Sequence, residues 1–102
     1  MRCLAFLGLA FLTSTVLSQE RHHDDRPINT ASELRDWCQS ESEASLIGKG
    51  ITPSNWSASF WEEGNVLIAK GSWRVGTDEV NVECRIARGA QTRFASIAFS
   101  GR

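Results

Sequence analysis

"NVLIAKGSWRVGTDEVNVECRIARG" (Asn65–Gly89) carries Leu67, Ala69, Gly71, Trp73 and Val75 at every second position, then Val80, Val82, Cys84 and Ile86. None of these nine is charged, and a polar break separates the two sets. Successive strand residues point to opposite faces, so the pattern reads as two half-buried β-strands joined by a tight turn. A turn at Thr77-Asp78 pairs Trp73 with Val82, Gly71 with Cys84 and Ala69 with Ile86. Facing residues share a side of the sheet, so one face collects the whole apolar set.

The same period continues outward. Strands are expected over 56–62, 65–75, 79–88 and 92–100, with connections at Glu63-Gly64, Thr77-Asp78 and Gly89-Ala90-Gln91. The first connection pairs Phe60 with Leu67 and Ala58 with Ala69. The last pairs Ile86 with Ala95, Cys84 with Ile97 and Val82 with Phe99; a bulge at Gly89 would instead turn Phe94 inward. All three turns agree on one uncharged face, and connections this short make an antiparallel meander.

Before the strands, Thr30-Ala31-Ser32-Glu33 has the form of a capping box. A helix is expected from Ala31 to Lys49, with Gly50 as its stop. On a helical wheel Leu34, Trp37, Cys38, Ala44 and Ile47 share one face, with Glu41, Ser45 and Gly48 inside the same arc. Arg35, Ser42, Glu43 and Leu46 fall opposite. The fold class is therefore α+β: one N-terminal helix packed on a four-stranded antiparallel meander sheet. Cys38 faces the sheet from the helix and Cys84 faces the helix from the third strand, with Gly71 beside it leaving room. A Cys38–Cys84 disulfide is expected. The arrangement resembles cystatin-like domains, in which an antiparallel sheet wraps a helix. Their first-hairpin motif, glutamine-x-valine-x-glycine, is absent, and Trp61-Glu62-Glu63-Gly64 stands at the matching turn. What the resemblance implies is an architecture that hosts inhibitors, enzymes and carriers alike.

The chain of 102 residues holds one domain. Its first stretch places Arg2 before an apolar run from Leu4 to Leu12, then small and polar residues. That layout is a secretory signal peptide over residues 1–18. Residues 19–29 read as a charged, flexible mature N-terminus and 30–102 as the domain. Removing residues 1–18 takes away only Arg2, so the formal net charge moves from −1 to −2. That balance gives no electrostatic footprint for nucleic acid or an anionic membrane. Export to a periplasm or the extracellular space suits a disulfide, and a chain this small gains from one.

Candidate chemistry is sparse. Cys38 as a nucleophile needs a base, and the only histidines, His22 and His23, precede the domain; tyrosine is absent. Glu41 lies mid-arc on the inward helix face, where a carboxylate needs a partner such as Arg88, Arg93 or an indole. With Trp37 it marks a possible ligand site at the helix–sheet boundary. His22-His23-Asp24-Asp25 offers metal donors, but adjacent donors seldom converge on one ion. Asn55-Trp56-Ser57 fits the N-glycosylation pattern and equally a turn asparagine.

The outer sheet face is more informative. The expected registers pair Trp61 with Val66, Ser59 with Ile68 and Lys70 with Arg85. They gather an apolar patch of Trp61, Val66, Ile68, Ala87 and Phe94, bordered by Lys70, Arg74, Glu83 and Arg85. The function expected is an exported, inhibitor-like or interaction domain without cofactor or metal. It would bind a protein partner or a second copy of itself through that face. The alternative is a small-ligand carrier or minimal enzyme around Glu41.

Overall fold

The computed structural model describes residues 25–101. The signal-like stretch and His22-His23 lie outside them. Helix α1 (Ala31–Gly48) precedes strands β1 (Ser54–Glu63), β2 (Val66–Val75), β3 (Asp78–Ala87) and β4 (Ser96–Gly101). The strands form one antiparallel sheet in the order β1-β2-β3-β4, and α1 packs across one face of it. This is the α+β meander that the apolar periods require.

The helix ends follow from local sequence. Thr30 Oγ accepts from the Glu33 amide at 3.2 Å, and Glu33 Oε1 accepts from the Thr30 amide at 3.2 Å, closing the capping box. At the other end the Ile51 amide donates to the Leu46 carbonyl and the Gly50 amide to the Ile47 carbonyl. Gly50 has φ of 82°, the left-handed conformation that this cap demands.

Both two-residue hairpin loops begin on a glycine with φ of 63°, Gly64 in Gly64-Asn65 and Gly76 in Gly76-Thr77. A glycine at the first loop position is the signature of a II′ turn, whose twist suits the flanking strands. The expected turns at Glu63-Gly64 and Thr77-Asp78 are therefore each displaced by one residue, which slides both registers by two. Phe60 pairs with Ala69, Ala58 with Gly71, Trp73 with Val80 and Ala69 with Cys84. A slide of two preserves side-chain parity, so every residue assigned to the inner face stays there. The β3–β4 register is as expected, with Val82 opposite Phe99 and Cys84 opposite Ile97. Pairing stops at Arg85–Ser96, because Thr92–Phe94 forms a 3₁₀ turn instead of strand, and Phe94 is exposed.

Cys38 and Cys84 are bonded, with Cα atoms 6.0 Å apart, tying the middle of α1 to β3. Gly71 does not make room for the bridge, since Ala69 stands beside Cys84. It makes room for Trp56: a Cβ at position 71 would lie 2.2 Å from the indole. Trp56 in turn packs on Trp73, ring centroids 4.9 Å apart. Asn55 forms the bulge that admits Trp56, with a left-handed φ of 56° that asparagine tolerates.

The helix is rolled relative to the expected wheel. Its buried row is Ala31, Leu34, Cys38, Ser42 and Leu46, so Ser42 and Leu46 point inward. Ile47 is 56% exposed, and Glu41 and Ala44 face solvent. Ser42 explains the roll. Its hydroxyl donates to the Cys38 carbonyl at 2.6 Å and accepts from Trp73 Nε1 at 2.8 Å. A buried indole N–H needs an acceptor, and this rotation supplies one while keeping Cys38 over Cys84.

The body also starts earlier than the capping box. Ile28 is fully buried, and residues 26–28 pair with the loop before β4 through Ile28 N–Ala90 O, Gly89 N–Ile28 O and Thr92 N–Arg26 O. Asp25 continues this anchor by bonding Arg93, 2.6 Å between Oδ2 and Nη1.

Two outcomes check this packing. Gly71→Ala should destabilise the domain by about 1–3 kcal/mol through overpacking, and Trp56→Leu in the same chain should recover much of it, both read by urea unfolding. Ser42→Ala should cost about 1–3 kcal/mol by leaving the Trp73 N–H unsatisfied. In a Trp73→Phe background that cost should fall, giving a coupling energy above about 0.5 kcal/mol in the double-mutant cycle.

Candidate functional site

The sheet face away from α1 is built from the alternate residues of all four strands. Two cross-strand rows run over its centre, Ser57–Ser72–Asn81–Ser100 and Ser59–Lys70–Glu83–Ala98. They line an open trough of about 600 Å³. The trough exists because these side chains are short, apart from the charged pair, whereas the next row holds Trp61, Ile68 and Arg85.

The two-residue slide of the registers changes the electrostatics. Lys70 faces Glu83, not Arg85. Glu83 Oε2 accepts from Arg85 Nε at 2.8 Å, and Lys70 Nζ stands 3.9 Å from Oε1. The expected Lys70–Arg85 pair is thus replaced by a Lys–Glu–Arg chain. The Arg85 hydrogen bond, against a smaller desolvation cost and aided by the Lys70 charge, holds the Glu83 carboxyl below the ordinary glutamate value. At the end of the first hairpin Arg88 bonds Glu62 at 2.7 Å and lowers that carboxyl likewise.

The expected apolar patch is partly dispersed. Trp61 faces Ile68 and Val66 faces Ala87. Ile68 is fully buried, so it presents no surface to a partner. Trp61 is half-buried, and its Nε1 donates to Glu63 Oε2 at 3.0 Å. Phe94 leaves the sheet on the 3₁₀ turn and stacks under Arg93, 5.1 Å from guanidinium carbon to ring centroid.

The Glu41–Trp37 site does not assemble. Glu41 is exposed and forms no hydrogen bond or ion pair among the described residues. Of the partners considered for it, Arg88 is engaged by Glu62 and Arg93 by Asp25. Cys38, in a disulfide, is no nucleophile. Asn55 is exposed at the β1 bulge.

Ser57, Ser59, Ser72, Asn81 and Ser100 carry neither an apolar nor a charged signal in the sequence, so nothing in it marks them as one site. The Gly64-Asn65 and Gly76-Thr77 turn signals would have aligned them into rows. Comparison with family models, with curated proteins and with solved structures finds no match for the chain.

Proposed function

We propose that the domain is an exported binding module that engages another protein through the outer face of its sheet. The observation that carries this reading is the trough that crosses all four strands beside half-buried Trp61 and the Lys70–Glu83–Arg85 chain. The inner face is occupied by α1. Arg35 over Phe60 at 4.7 Å and Lys49 over Phe99 at 5.7 Å flank the helix on the two edge strands. That leaves the outer face as the broad surface without a covering layer among the described residues. It combines an indole, an arginine and a recess, the features that concentrate binding energy in protein interfaces. The signal-like residues 1–18 and the disulfide support export to an oxidising compartment.

Trp61→Ala should weaken the complex at least tenfold, measured by calorimetry with the partner or by sedimentation if the partner is a second copy. Ser72→Arg, which fills the trough without touching Trp61 or Ile68, should do the same while circular dichroism and melting stay close to those of the parent. A complex that survives both substitutions contradicts the proposal.

A further inference from the structure

The trough has a chemistry of its own. Apart from Ala98, the side chains on its two rows are hydroxyls, an amide and one ion pair. Docking of an amphipathic helix requires a continuous apolar groove, and proline-rich segments an aromatic-lined one; the side chains of these two rows supply neither. The remaining side-chain mode of peptide recognition is capture of acidic groups by cations and hydroxyl donors.

The charges favour that mode. Glu83 gives its short contact to Arg85, at 2.8 Å, and only a 3.9 Å approach to Lys70, whose side chain is 56% exposed. Lys70 is therefore the more loosely held of the two cations on Glu83 and the more exposed to a guest. Farther along the same face of β2, Arg74 stands opposite Glu79, with no ion pair between their side chains among the described residues. Ser57 and Ser72 Oγ are 3.5 Å apart, too long for a firm mutual bond, so both hydroxyls can turn to an incoming acceptor. Four strands span about 14 Å between the outer two, the length of about four residues of extended chain.

We propose that the trough receives an extended acidic segment of the partner protein, with one carboxylate seated between Lys70 and the hydroxyls of Ser57, Ser59 and Ser72. This rests on the outer face being the binding surface, and it names what that surface recognises.

The test titrates acetyl-tetraglutamate-amide and acetyl-tetralysine-amide into the ¹⁵N-labelled mature chain and follows amide shifts. Tetraglutamate should give saturable shifts at residues 57–59, 70–72 and 81–83. Lys70→Glu should weaken them at least tenfold, and Lys70→Arg should retain them. Added salt should weaken binding, as expected of a partly exposed ion pair. The assignment is overturned if tetralysine acts equally, or if the shifts instead scatter over Lys49 and Arg93. Shifts at the same residues from chitotetraose but not tetraglutamate would also overturn it, and would give the trough to a sugar chain. If tetraglutamate is silent while Trp61→Ala and Ser72→Arg still abolish the protein complex, the outer face remains the binding surface and only the acidic occupant is rejected.

Discussion

The Cys38–Cys84 bridge and the Ser42–Trp73 hydrogen bond, one helical turn apart, hold α1 at a single rotation about its axis. Everything else in the layer boundary is arranged around that rotation. Leu34 and Leu46 extend the same row toward the two ends of the helix. Trp73, fixed through its N–H, supports Trp56, and Trp56 occupies the space that Gly71 leaves empty. A domain of this size buries a modest core, so a covalent tie carries unusual weight. With 46 residues separating the cysteines, the chain-entropy term alone is about 4 kcal/mol, comparable to the whole stability of many small domains.

Fixing the helix on one face determines what the other face can do. Because α1 takes up the inward apolar side chains of β1, β2 and β3, the two trough rows need no hydrophobic residues for folding, although Ile68 in the next row is buried. Serines and an asparagine can stand where a two-sided core would place valine or isoleucine. The short polar side chains of two adjacent rows, set against Trp61, Ile68 and Arg85 in the next, produce the recess. The proposed binding role is thus linked to the staple through the sheet: the same backbone positions alternate between packing against the helix and lining the trough.

The sheet was legible in the sequence because strand parity survives small errors of register. Misplacing Gly64 and Gly76 by one loop position moved each pairing by two residues, which left Trp56, Ala58, Phe60 and their partners on the correct side. The identity of facing neighbours has no such protection. A shift of two turns Lys70 from Glu83 to Arg85, and Gly71 from Val82 to Cys84, without changing the face of either. The helix is less legible, because its large residues Trp37 and Ile47 point to a wheel centre that its buried row does not share. A buried serine has no hydrophobic signature, and Ser42 became recognisable only once Trp73 lay opposite it. Glu41 looked inward on the wrong centre and is exposed on the right one. For the site, the trough residues carry no motif, so their alignment across four strands is visible only in the paired sheet.

The most direct test of the central claim compares urea unfolding of the oxidised chain of residues 19–102 with that of its Cys38→Ser/Cys84→Ser double variant. The bridge should contribute about 2–4 kcal/mol. Hydrogen exchange on the variant should show the loss concentrated in α1, with β2 and β3 amides remaining the slowest. Equal stability of the two chains, or a loss centred on β2–β3 with α1 still protected, would contradict the account of a helix held to its sheet by that bridge.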